Sequence, residues 1–140
     1  MIQVIAGNKG TGKTKKLMDM ATEAMKKENG IVVFIDSDNK YMMDLPHEIR
    51  FVDASEYTWL EKPSAESLLG FINGMLAGNY DITTICIDAF DKLTKNTALA
   101  DTEAFFAAID SLGSKFDCTF VINVNEETSA LPPFIARYAI

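Results

Sequence analysis

A chain of 140 residues with 48% hydrophobic side chains is long enough to bury one core, and no Ser-, Gln- or Pro-rich tract interrupts it, so a single domain over residues 1–140 is expected. The formal net charge of −7 repels phosphate backbones at long range and argues against nucleic acid as the main partner. The first residues lack a basic region followed by a long apolar stretch, nothing approaches a bilayer span, and Cys86 and Cys118 each sit inside an apolar run; a cytoplasmic protein without disulfide or membrane segment is the expectation.

Strand-like and helix-like segments alternate along the chain, the pattern of a mostly parallel sheet covered by helices. Residues 2–6 form a short apolar run ending at Gly7. Lys13 then opens an amphipathic helix to about Glu28, with Leu17, Ala21, Ala24 and Met25 on one face and Lys16, Asp19, Glu23 and Lys27 on the other. Asn29-Gly30 ends it. Residues 31–35 are continuously apolar and mostly β-branched, which predicts a strand buried on both faces, running into Asp36-Ser37-Asp38. Residues 39–48 read as a loop or short irregular helix in which Met42 and Met43 pack and His47 is exposed. Residues 49–52 alternate like an edge strand whose partner the pattern does not reveal.

Tyr57 and Trp59 lie in a connector, either pinning it to the core or offering a stacking surface. Residues 64–77 carry Leu68, Ile72, Met75 and Leu76 at helical spacing before Gly78-Asn79. Residues 82–88 predict another buried strand, ending in Asp88, with Asp91 in the loop or cap beyond it. Asp101 is placed to cap a helix using Phe105, Ile109 and Leu112. Residues 118–123 predict a further strand, and the tail after Pro132-Pro133 a terminal one.

The segment Gly7-Asn8-Lys9-Gly10-Thr11-Gly12-Lys13-Thr14 fits G-x-x-x-x-G-K-[ST] and lies after a strand and at the start of a helix, where that motif's chemistry requires it. Backbone N–H groups must converge on phosphate oxygens, and the glycines permit the dihedrals and close approach this needs. The helix N-terminus adds partial positive charge. Lys13 is then placed to reach the β- and γ-phosphates, with Lys9 and Lys15 beside them, and the Thr14 hydroxyl to ligate Mg²⁺. Asp88, at the end of a buried strand, is the matching carboxylate for the metal.

Together these strand ends resemble the RecA-like branch of P-loop ATPases. Residues 34–38 are similar to the family's second strand, which ends in an acidic residue that prepares the attacking water, with Asp38 in that place; on its own Asp38 reads either as that base or as a solvated loop carboxylate. Ile87-Asp88-Ala89 resembles its Walker B strand. Residues 120–123 resemble its later strand, which ends in a polar residue sensing the γ-phosphate, here Asn123; on its own that residue reads either as such a sensor or as a hydrogen-bonded strand terminus. The resemblance implies a three-layer α/β/α P-loop NTPase fold with about five strands and a Mg²⁺-dependent ATP site with Lys13 and Asp38 as catalytic groups. It departs from the recombinases in a shorter carboxylate at Asp38 and in Val124 where they carry a sensing Gln. No Glu follows Asp88, as it does in many ATPases. Lys9 is one position removed from the signature Lys of partition ATPases, which falls at Asn8.

Three functions follow. The first is an ATPase with weak or partner-dependent hydrolysis, acting through a protein partner or self-assembly. The second is a small-molecule kinase, against which stands a supply of only two arginines, Arg50 and Arg137. The third is a noncatalytic nucleotide-binding module. No N-K-x-D motif supports a switch GTPase.

Overall fold

β-branched and aromatic residues dominate five runs of the chain, and these pair as an entirely parallel sheet. The computed structural model describes residues 1–27 and 29–140, with the side chains of Trp59 and Leu60 set aside; the expected helix end near Glu28 and the role of the Trp59 ring lie outside the described residues. The strands are β1 (Ile2–Gly7), β2 (Ile31–Asp36), β3 (Arg50–Asp53), β4 (Ile82–Ile87) and β5 (Thr119–Asn125), in the spatial order β1-β5-β4-β2-β3. The helices are α1 (Lys13–Lys27), α2 (Ala65–Gly78), α3 (Phe90–Leu93), α4 (Glu103–Phe116) and α5 (Pro133–Ala136).

Alternation along each strand sorts the core into two layers. Ile5, Val32, Phe34, Cys86 and Val121 face α1, which presents Leu17 and Ala21. Val4, Val33, Ile35, Ile85, Ile87, Phe120 and Ile122 face the opposite way, against Leu68 and Ile72 of α2 and Phe105, Phe106 and Ile109 of α4. The result is an α/β fold with helices on both faces of a five-stranded sheet. A parallel sheet covered on both sides explains the near-continuous apolar runs of β2, β4 and β5.

The register decides what gathers above the sheet. Ile35 pairs with Ile87 and Ile87 with Ile122, so the next residues, Asp36, Asp88 and Asn123, stand level in a transverse row. Each lies two positions past a residue that faces α1, namely Phe34, Cys86 and Val121. All three therefore belong to the α1 face, at the end where α1 begins.

Several expectations are corrected. The tail forms the short helix α5, for which Pro133 at the first helical positions is well suited. Beyond it only a single bridge, Val4 with Ala139, lies along the outer edge of β1, with Val4 N–H donating to Tyr138 O at 2.9 Å. Asp101 belongs to a 3-10 turn, Leu99–Asp101, and Thr102 occupies the cap position of α4, its hydroxyl donating back to Leu99 O at 2.7 Å. Asp91 sits inside α3 rather than in a loop. Met42 and Met43 are exposed on a 3-10 turn, Met43 at 79%, rather than packed. The expected edge strand is present at residues 50–53, and its partner is β2. Other expectations hold: His47 is exposed, and Tyr57 packs against Phe71 with ring centroids 5.7 Å apart, which pins the connector. No described helix is long and apolar enough to cross a membrane.

Phe106 is fully enclosed, with the rings of Phe90, Phe105, Phe134 and Tyr138 at centroid distances of 5.8, 5.6, 6.1 and 6.2 Å. Phe106→Ala is expected to cost about 3–5 kcal/mol in urea denaturation, whereas Met43→Ala should change stability by no more than about 0.5 kcal/mol.

Candidate functional site

Because every strand runs the same way, the segments that leave their C-terminal ends meet along one edge of the sheet, the usual place for ligands in such folds. The first of them is the glycine-rich loop between β1 and α1. Gly10 and Gly12 adopt φ of +86° and +82°, which side chains bearing a Cβ rarely tolerate. A Cβ on Gly7 would come within 2.8 Å of Thr11 Oγ1, so the loop closes tightly on the end of β1. The Asn8 carbonyl is the hub of the turn, accepting from Thr11 Oγ1 and Lys13 Nζ, both at 2.8 Å.

Lys13 is only 8% exposed although it carries an ammonium. Burial lowers its pKa, and the charges of Asp88 and Asp91 oppose that shift. Lys9 is exposed on the loop, and Lys15 turns outward to pair with Asp19 at 3.1 Å. Asn8 Nδ2 donates to Glu127 Oε1 at 2.9 Å, tying the loop to the segment that follows β5.

Thr14 and Asp88, 74 residues apart in sequence, are brought together: the Thr14 hydroxyl donates to Asp88 Oδ2 at 2.9 Å. The other oxygen of Asp88 accepts from Ala89 N–H at 2.9 Å and Asn123 Nδ2 at 3.0 Å. Asn123 is 3% exposed, and its own Oδ1 has no hydrogen-bond partner among the described residues. Asn123 therefore stands behind Asp88 and orients it; Asn125, two residues on, is the one that reaches the cleft wall and donates to Asp91 Oδ1 at 3.2 Å.

Ala89 adopts the left-handed conformation, φ +55° and ψ +42°. A residue with a Cβ is strained there by roughly 1–2 kcal/mol. The turn starts α3 directly, with Ala89 O accepting from Lys92 and Leu93, and aims the Ala89 N–H at Asp88.

The second-strand carboxylate is the main departure from the sequence reading. β2 ends at Asp36, which is 5% exposed, while Asp38 lies on the exposed loop and accepts from Lys40 N–H at 3.0 Å. Asp36 receives Ser37 N–H at 2.7 Å. Burial, reinforced by the charge of Asp88, pushes the Asp36 carboxyl up to about 7. The signal that identifies Asp36 is parity: it lies two positions after Phe34, as Asp88 does after Cys86.

These groups line one cleft of about 720 Å³, within the range of small-molecule sites. Its floor is Lys13, Thr14, Asp36 and Asp88. Neutral amides at a helix start, a buried ammonium, and a hydroxyl beside a carboxylate suit an anion together with a hard divalent cation such as Mg²⁺. That cation commonly takes one or two protein oxygens and completes its shell with phosphate and water. No protein-family model matches this chain, and the search of curated proteins finds no relative.

Asp36 makes stability depend on pH. Its folded pKa of about 7 exceeds the ordinary 3.8, so between those values the folded chain holds a proton that the unfolded chain has lost. Stability therefore falls as pH rises across that window and levels above it. Asp36→Asn should abolish this slope and, at pH 8, stabilise the protein by about 1–2 kcal/mol after allowance for solvent in the cleft. Urea denaturation of both proteins at pH 5 and pH 8 checks it. Ala89→Gly should separately add about 1 kcal/mol at both values.

Proposed function

We propose that the chain is a P-loop nucleotide-binding protein that binds Mg·ATP and hydrolyses it slowly, in an arrangement like that of the RecA-like ATPases. The observation that carries this reading is the 2.9 Å contact between Thr14 and Asp88 at the mouth of the glycine-rich loop. A hydroxyl and a carboxylate held that close offer the two protein oxygens a Mg²⁺ ion needs at the end of a triphosphate.

In this reading the amides of residues 10–14 cradle the β- and γ-phosphates, and Lys13 exchanges the Asn8 carbonyl for phosphate oxygens. Thr14 and Asp88 hold the Mg²⁺, directly or through water. Bound Mg²⁺ supplies positive charge where negative charge develops on the phosphates. Asp36 takes the proton of the attacking water, the role that the family resemblance implied for Asp38; a carboxyl near neutrality is well matched to accepting a proton at physiological pH. Asn123 and the Ala89 amide position Asp88. Neither arginine lines the cleft: Arg50 is exposed at the start of β3, and Arg137 donates to Tyr138 Oη at 2.6 Å. That favours hydrolysis over a kinase whose own arginines close on the phosphates. It also fits turnover that depends on a protein partner or on self-assembly.

Titration with ATP at millimolar Mg²⁺ tests the assignment. Lys13→Ala is expected to weaken binding by at least about tenfold, the loss of one buried charge-assisted hydrogen bond. Asp36→Asn should retain binding and lower turnover about 100-fold or more, with Asp38→Asn close to wild type. Equal affinity of Lys13→Ala and wild type would remove Lys13 from the site, and equal turnover of Asp36→Asn and wild type would remove Asp36 from the reaction.

A further inference from the structure

The left-handed turn at Ala89 starts α3 at once, and α3 is fixed from below. Phe90 and Leu93 are buried, with the Phe90 ring 5.4 and 5.8 Å from those of Phe105 and Phe106. The two residues between them, Asp91 and Lys92, are exposed and line the cleft. A turn anchored in the core holds such side chains more closely than a surface loop does.

Asp91 is already engaged: it accepts from Asn125 Nδ2 at 3.2 Å, and its charge acts on Lys13. Lys92 makes no ion pair among the described residues. Its charge acts on Asp36, where it opposes the upward push of burial and of Asp88. Consecutive residues of α3 therefore stand within electrostatic reach of the two groups that the reaction uses on either side of the γ-phosphate, Lys13 and Asp36. The remaining cations of the cleft are placed otherwise. Lys9, Lys13 and Lys15 belong to the glycine-rich loop and the first turn of α1, while Lys40 lies on the segment after β2, 5.3 Å from the centroid of the Tyr41 ring. No arginine lines the cleft.

We infer that Lys92 is a further catalytic residue, the cation that this chain itself brings to the γ-phosphate beside Asp36. In the hydrolysis the oxygen of water bonds to the γ-phosphorus while the bond from that phosphorus to the bridging oxygen breaks. Asp36 takes the proton of the water, and ADP leaves with the electron pair. Lys92 transfers no proton: its ammonium donates an N–H to a γ-phosphate oxygen and offsets the negative charge that builds there. The inference rests on the Mg·ATP reading and adds to it the group that replaces an arginine.

The test uses the full chain with Mg²⁺ and reads the binding of a transition-state mimic separately from turnover. Mg·ADP affinity is measured first by direct titration. Tetrafluoroaluminate, a planar stand-in for the transferring phosphoryl group, is then added and its capture followed by fluorine NMR. Wild type is expected to capture it. Lys92→Met should keep the Mg·ADP affinity, yet weaken capture and lower ATP turnover by about tenfold to 100-fold, less than loss of an enclosed donor because Lys92 is exposed. Lys92→Arg should restore most of both, and Lys40→Met should match wild type. Capture by Lys92→Met equal to that of wild type, Lys92→Arg no better than Lys92→Met, or no capture by a wild-type chain that binds Mg·ADP would overturn the role of Lys92 alone. Failure of the chain to bind either Mg·ADP or Mg·ATP would overturn the reading beneath it, and this inference with it.

Discussion

The hydrogen bond from Thr14 to Asp88 is the contact around which the cleft at the C-terminal edge of the sheet is organised. It joins the first turn of α1 to the end of β4, two strands away from the strand that leads into α1. Nothing local in sequence brings those residues together. The parallel register does so: it sets Asp36, Asp88 and Asn123 level, and the alternation of β-strand side chains turns all three toward α1. A one-residue slip in any of the three strands would turn its polar group into the apolar layer beneath α2 and α4.

The same edge concentrates what the fold tolerates least. Asp36 buries a carboxyl beside another carboxylate, Ala89 holds a left-handed backbone, and Asn123 hides a carbonyl oxygen with no hydrogen-bond partner among the described residues. Each costs stability where the sheet's interior has none of these features: Val4, Phe34, Ile85, Cys86, Phe120 and Ile122 are fully enclosed among apolar neighbours. Unfavourable terms gathered around a cleft, over a well-packed core, are what supports the proposed site. All three bear on one carboxylate, Asp88, as its neighbouring charge, its N–H donor and its amide support.

Much of this was legible from residues alone. The glycine spacing and the strand-to-helix context identified the loop, and the run before Asp88 identified its partner. Asp38 was taken for the strand-end carboxylate because three polar residues follow Ile35, and polarity alone does not say where a ladder stops; counting in twos from Phe34 points to Asp36. Residues alone leave Asn123 either a phosphate sensor or a hydrogen-bonded strand terminus; its amide bonds Asp88, as the second reading has it, and strand order sets that pairing. Strand order is a tertiary property, and the lone pairing of β3 with β2 was hidden for the same reason. Tail and cap were misjudged through local chemistry: Pro133 favours a helix start over a strand, and the Thr102 hydroxyl, turned back to Leu99, displaces Asp101 from the cap.

If the loop at residues 7–14 and the row at Asp36, Asp88 and Asn123 form the proposed single site for a magnesium-bound triphosphate, amide NMR during addition of inorganic tripolyphosphate, with and without Mg²⁺, will show it. The largest shifts are expected at Gly10, Gly12, Lys13 and Thr14, with further shifts at Asp88 and Ala89 only when Mg²⁺ is present. Shifts confined to other parts of the surface, or the same shifts at Asp88 with and without the metal, would contradict it.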